Sequence, residues 1–270
     1  MLFPYKYVIH QMEKMQEFIN FIFYEVWCKA PGNGPFRLEM FDGDADLKGL
    51  MTLFQIGDTQ AGDFIYGHVD RIYGHFAALS PAQIGQFKLW YKANNEIEKA
   101  CANDPALQLA RYTNIKPINA DLCRELATFF KGLYSQDLLG IAALREQIGE
   151  IDDHYKRFMQ ENRVGKCPFC GINDIKGIHH TRREAYDHYL PKGLYPFNSI
   201  NFRNLAPPVM CATAATSSPR TRSILQQGDV ELSIHTRIPA IAFKSKSISG
   251  REMSPLLSQE TFSLSLVRQH

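Results

Sequence analysis

Between residues 167 and 211 the chain gathers side chains whose types and spacing could do chemistry. Cys167-Pro168-Phe169-Cys170-Gly171 is a Cys-x-x-Cys knuckle, in which one tight turn offers two thiolates to two corners of a tetrahedron and the glycine permits the turn. A closed zinc site needs two further ligands. Cys211 arrives at the spacing of a second such pair, but position 214, where its mate belongs, is Ala214. Between the cysteines lies Tyr186-Asp187-His188-Tyr189-Leu190-Pro191-Lys192, an Asp-His pair with flanks suited to a strand, followed by Asn201-Phe202-Arg203-Asn204-Leu205. An imidazole beside a hard carboxylate supplies a proton acceptor and a cation ligand. An Asp-His pair alone is also a common exposed dipeptide, so its weight comes from its order with the cysteines. The tandem His179-His180 could add metal ligands, although loop histidines without an assigned partner are usually just exposed.

The remaining cysteines, Cys28, Cys101 and Cys123, are scattered through amphipathic stretches and read as small buried apolar residues. The start of the chain places Lys6, His10, Glu13 and Lys14 where a signal peptide needs an uninterrupted apolar core. A cytoplasmic protein is therefore expected, in which a close cysteine pair is a metal clip or a redox pair and not a disulfide. No apolar run approaches the roughly 20 residues that span a bilayer, so no membrane partner is expected. With 45% hydrophobic and 21% charged residues the 270-residue chain has an ordinary globular composition. A net charge of +2 neither announces nor excludes a nucleic-acid partner; local clustering of basic residues would decide.

The elements that must position these residues divide the chain in three. Residues 1–162 read as a mainly α domain of unknown role. Met12, Met15, Phe18, Ile19, Ile22, Phe23 and Val26 recur at helical spacing in a segment from Tyr5 to Trp27, closed by Pro31-Gly32. Further helices are expected over Asp63 to Leu79, from the Ser80-Pro81 cap to Cys101, and over Ala120 to Tyr134, Leu138 to Ile148 and Ile151 to Asn162. Their aromatic residues (Phe18, Phe23, Trp27, Phe76, Tyr91 among them) could be imagined as a stacking platform, but helical spacing makes them a packed core. Residues 163–211 form a small α+β module, with short strands expected near Gly177 to Arg182 and Tyr186 to Leu190. Residues 212–270 contain no Tyr, Trp or Cys and are dense in serine, so an irregular tail is expected.

The ordered set from Cys167 to Cys211 resembles the HNH endonucleases, the ββα-metal nucleases, and within them the zinc-stapled subset. That subset reads Cys-x-x-Cys, Asp-His-(hydrophobic)-x-Pro-Lys, Asn-x-x-Asn-Leu, then Cys-x-x-Cys-Asn and a lysine. The resemblance covers about a sixth of the chain, and it is carried by the whole ordered set, not by any single piece. It implies a phosphodiesterase acting on DNA with one divalent cation, Mg²⁺ or Mn²⁺, and a structural Zn²⁺ held by Cys167, Cys170 and Cys211. By that resemblance His188 is the general base, with a pKa close to the working pH, and Asp187 is the ligand of the catalytic cation on the other face of the strand. Asn204 holds the loop and helps orient the histidine. Arg182, Arg183, Lys192 and Arg203 would supply phosphate contacts, the plainer reading of each being a solvated basic surface.

The chain departs from the pattern abruptly after Cys211. Where the family has Cys, Asn and a lysine, it has Ala214, Ala215 and no lysine nearby. One cause could produce all three losses. Writing Ala212 to Thr216 as GCA ACA GCT GCA ACA and reading from the third base gives Asn-Ser-Cys-Asn, which restores Cys-x-x-Cys-Asn after Cys211. The same frame permits Lys-Leu-Thr-Lys-Asn over Ser217 to Thr221 and Gly-Arg-Arg-Thr-Leu-Tyr-Pro-Tyr over Gly228 to Thr236. Third bases are free choices here, so the exercise shows what the sequence permits. On this reading residues 212–270 are out-of-frame translation. The nuclease module then lacks its closing helix, and poor folding with little or no activity is expected. The alternative function is a non-catalytic zinc-binding module for nucleic acid or protein. A Cys-x-x-Cys redox protein is disfavoured, because no βαβ pattern surrounds Cys167.

Overall fold

The computed structural model describes residues 6–57, 60–163, 165–167, 173–177, 180, 183–207, 242–243 and 264–265. Ten α-helices are described: α1 Glu13–Phe21, α2 Ala45–Ile56, α3 Gln60–Ala77, α4 Pro81–Asn95, α5 Ile97–Cys101, α6 Tyr112–Ile115, α7 Ala120–Gly132, α8 Gln136–Leu139, α9 Ala142–Ile148 and α10 Ile151–Glu161. After them comes one two-stranded antiparallel sheet, β1 Asp187–His188 with β2 Leu205–Ala206. A second pair, β3 Ala242–Phe243 with β4 Leu264–Ser265, lies in the stretch expected to be irregular. The mainly helical character expected of the first part of the chain is observed. No described helix is long and apolar enough to cross a membrane.

The first apolar run does not stay α-helical. Past Phe21 it widens into a π-helix, Ile22–Val26, and tightens to a 3-10 turn, Trp27–Lys29. The change of winding lets Phe23 and Trp27 both be fully buried. Trp27 Nε1–H then meets the Val69 carbonyl of α3 at 3.0 Å, so the buried indole donor is satisfied. Phe23 stacks on Tyr91 with ring centroids 3.8 Å apart, and Trp27 packs on Phe76. Those rings are core, as their spacing implies.

Several helices differ from expectation: the one expected over Leu138 to Ile148 is split into α8 and α9, α6 was not anticipated, and two further differences bear on the later loop and the core. Helix α2 was not anticipated; the Asp44 carboxylate caps it, accepting from Leu47 N at 3.0 Å, and its buried face is Leu47, Leu50, Met51 and Phe54. The helix opened by the Ser80–Gln83 capping box stops at Asn95 and restarts at Ile97. At that break, Asn94 Nδ2 donates to the carbonyls of Ala110 and Pro196, both at 2.9 Å, and Asn95 Nδ2 donates to Phe197 O at 3.2 Å. The polar pair thus clamps the loop that precedes β2.

Core residues of the later segment (Cys167, Ile175, Tyr186, Phe197, Ile200, Phe202 and Leu205) belong to the same buried cluster as the helices. Parts of residues 183–207 are therefore seated in the helical core, while Leu190 packs with Ile97, Ala100 and Cys101 in a smaller cluster. The strand expected near Gly177 to Arg182 is not seen at Gly177 or His180, where His180 N closes a turn on Gly177 O at 3.0 Å; residues 178, 179, 181 and 182 lie outside the described residues.

Candidate functional site

Along 186–190 burial alternates: Tyr186, His188 and Leu190 are buried, while Asp187 and Tyr189 are half-buried. This period of two turns His188 inward and Asp187 toward the opposite face. The pairing registers Asp187 with Ala206 and His188 with Leu205. The β1–β2 connection is held from inside by Asn204, only 1% exposed. Its Oδ1 accepts from Leu190 N at 2.7 Å, and its Nδ2 donates to Leu190 O at 3.1 Å and Asn198 O at 3.2 Å. Tyr189 N also donates to Asn204 O, at 2.9 Å. One carboxamide thus ties the end of β1 to the far side of its own loop.

His188 is 8% exposed, and its Nε2–H donates to the Ser199 carbonyl at 2.8 Å. A carbonyl can only accept, so the proton sits on Nε2 and the lone pair on Nδ1. The ring meets Tyr134 edge-on, with centroids 5.3 Å apart. Burial pulls its pKa down to about 4; the Ser199 carbonyl opposes this, the Lys192 charge adds to it, and Asp187 opposes it. That differs from the expected value near the working pH, because the ring packs into the core instead of standing at a rim. It remains neutral at pH 7. Asp187 Oδ1 accepts from His188 N at 2.8 Å, which stiffens the pair locally.

The described basic residues, Lys192, Arg183 and Arg203, are partnered within the chain. Lys192 Nζ donates to the carbonyls of Lys131 and Tyr134 near the end of α7, at 3.2 and 3.4 Å, and lies 5.2 Å from the Tyr134 ring centroid. Burial lowers its pKa, while Asp187 opposes the shift. Arg183 bonds Asp152 at 2.6 Å, and Arg203 bonds Glu98 at 2.7 Å while covering the Tyr7 ring. Of the three cysteines only Cys167 is described, and it is fully buried. Cys167 N donates to Asn173 O at 2.8 Å, Ile175 N to Gly165 O at 2.7 Å, and Lys166 bridges Asp174, so residues 165–167 and 173–175 form an antiparallel stem. Cys170, Cys211 and Arg182 lie outside the described residues. Among the described residues no group of three or more His, Cys, Asp or Glu is placed to hold a metal ion.

Sequence reasoning did not find Tyr134, Asn198 or Ser199. Tyr134 sits at the end of an expected helix and carries no distinguishing signal. Ser199 contributes through its carbonyl, which any residue could supply. The loop they share also contains Phe197, fully buried at φ 80, a left-handed conformation that a bulky residue adopts only when its surroundings enforce it. Packing against Phe23, Tyr91 and Phe130 does so here.

No family model, no curated protein and no solved structure matches this chain.

Proposed function

We propose that the chain is built on the plan of an HNH endonuclease that hydrolyses DNA phosphodiester bonds with one divalent cation. The observation that carries the reading is the strand pair that sets His188 and Asp187 on opposite faces while Asn204 clamps the connecting loop. His188 Nδ1 takes the proton from the attacking water, and Nε2–H remains on the Ser199 carbonyl, which fixes the ring's tautomer and direction. Asp187 offers a hard oxygen ligand. A single carboxylate is compatible with Mg²⁺, which usually keeps several waters and is held by one or two carboxylates together with substrate phosphate. Such a cation, when bound, stabilises negative charge on the phosphoryl and leaving oxygens. The stem beneath Cys167 suits a knuckle for structural Zn²⁺, with Cys170 and Cys211 as its companions.

The alternative, a non-catalytic zinc-binding module for nucleic acid or protein, is favoured by a different observation. Lys192, Arg183 and Arg203 all spend donors on protein groups, and His188 is a weak base with a pKa of about 4. Both readings include the frame change after Cys211. Sequencing the DNA across codons 205 to 240 tests it: an alternative frame encoding Cys-Asn shortly after Cys211 is expected. A frame with nothing of that kind removes the explanation for the missing Cys, Asn and Lys.

A further inference from the structure

Three segments distant in sequence meet beside the Asp187–His188 pair. Tyr112 N, at the start of α6, donates to Leu194 O at 3.1 Å, and the Cys123 thiol of α7 donates to Tyr112 O at 3.2 Å. Lys192 Nζ reaches the carbonyls at the end of α7, and Arg111 covers the Tyr195 ring with its Nε 3.3 Å from the hydroxyl. These contacts join residues 105–119, the later part of α7 with its exit (126–136), and the stretch 188–207. None of the three contains an Asp or a Glu.

That matters because carboxylates accompany cations over much of the described surface: Lys14 bridges Asp46, Lys29 bridges Glu25, and Lys156 bridges Asp153. Lys116 and Lys131 differ. Both are exposed, and among the described residues neither makes a salt bridge or a side-chain hydrogen bond. Their ammonium groups flank one side chain: burial pushes the Cys123 thiol up, and the charges of Lys116 and Lys131 both oppose it. Lys131 Nζ also lies 5.8 Å from the centroid of the Tyr112 ring. The carboxylates of α7 itself are already neutralised, Asp121 by Arg124, and Glu125 by Arg71 and His68 of α3. Half-buried Lys192 links this face to the candidate site, since its charge acts on His188 and Asp187 acts on it.

We infer that this face of the helical domain, carrying Lys116 and Lys131, is a docking surface for the phosphate backbone of duplex DNA, which it holds beside Asp187 and His188. Two ammonium groups in a carboxylate-free setting find in phosphates the partners they lack within the chain, and release of condensed counterions drives such contacts. A lipid surface fits less well. Among the described residues the exposed large apolar side chains, Ile9, Leu53, Ile56 and Leu89, belong to other elements, so no large one on this face would enter a lipid layer. Lysines act as point charges, so the contact follows the backbone without reading bases. The choice of DNA rests on the nuclease reading; the cationic face does not.

The full 270-residue chain is titrated against a short fluorescein-labelled duplex, with binding read by anisotropy at several salt concentrations. In Lys116→Gln/Lys131→Gln the slope of log K against log[salt] is expected to fall in magnitude by about 0.9 for each lysine, which near ~50 mM salt is roughly ten-fold in affinity each. Lys29→Gln/Lys156→Gln removes the same charge from exposed, paired positions elsewhere and is expected to leave the slope unchanged. Circular dichroism spectra of both double variants should match that of the parent. An unchanged slope in Lys116→Gln/Lys131→Gln overturns the inference, as do an equal loss in the control pair, absence of duplex binding at low salt, and tighter binding of a matched RNA duplex or of phosphatidylserine vesicles. Cation-dependent nicking by the frame-restored protein with an unchanged slope discards the docking face and keeps the nuclease reading. A reduced slope without nicking keeps the face and discards that reading.

Discussion

Replacing Asn204 by alanine removes the carboxamide that closes the β1–β2 loop. Three hydrogen bonds go with it: Leu190 N to Oδ1 at 2.7 Å, and Nδ2 to Leu190 O and Asn198 O. At 1% exposure no solvent stands ready to replace them. The Leu190 N–H becomes an orphaned buried donor, at a cost of about 1–3 kcal/mol. Loss of the two donations to carbonyls adds about 1 kcal/mol each, less whatever water reaches the space. A destabilisation of about 3 kcal/mol follows. For a chain of this size that lowers the melting temperature by roughly 6–12 °C. Guanidinium denaturation monitored by tryptophan fluorescence is suitable, because Trp27 is fully buried in the same core cluster as Leu205. Asn204→Leu, which keeps the volume but not the polarity, should be nearly as destabilising. A loss below about 1 kcal/mol in both variants would refute the clamp, since it would mean the loop holds itself.

His154 is buried and its pKa is pulled down to about 3, chiefly by burial and then by the neighbouring His10. The folded state therefore resists a proton that the unfolded chain accepts below pH 6.5. Stability is fully present above that value and declines as pH falls toward 3, by up to about 1.4 kcal/mol per unit. This group alone should cost about 2 kcal/mol between pH 7.5 and pH 5. Denaturation curves at the two values should show a smaller difference in His154→Phe; an unchanged difference contradicts the assignment. Ser80→Ala removes the capping box, in which Gln83 N donates to Ser80 Oγ and Ser80 N to Gln83 Oε1, and should cost about 1 kcal/mol by the same assay. Trp27→Phe removes the indole donation to the Val69 carbonyl, which lies within α3, and is expected to lose about 1 kcal/mol; no loss would show that the indole N–H contributes nothing.

The sequence revealed helices where apolar spacing is long and regular, as in α7 and α10, and where a cap is marked, as at Ser80-Pro81. It did not reveal α2, because Gly49 and Thr52 interrupt that helix and Asp44 is only one of several acidic residues around it. The break at Glu96 was invisible for another reason. It depends on Asn94 and Asn95 reaching carbonyls about a hundred residues away, and local spacing carries no record of such partners. The candidate site was legible only as side-chain types in order: Asp187, His188 and Asn204, which the structure brings to one strand pair and its loop. It was illegible where the backbone acts, as at the Ser199 carbonyl, or where environment sets reactivity, as in the burial that makes His188 a weaker base than expected. Charge counting also failed to show that Lys192 would cap a helix end.

The nuclease plan is tested most directly by restoring the alternative frame after Cys211 and measuring nicking of supercoiled plasmid in Mg²⁺ or Mn²⁺. The frame-restored protein is expected to nick the plasmid only with the cation present. Its His188→Ala variant should lose about 10²-fold or more, the usual contribution of a positioned general base. The 270-residue chain as it stands should show little or no activity. Equal nicking by the restored protein and its His188→Ala variant, or no cation-dependent nicking by the restored protein at all, would contradict the account.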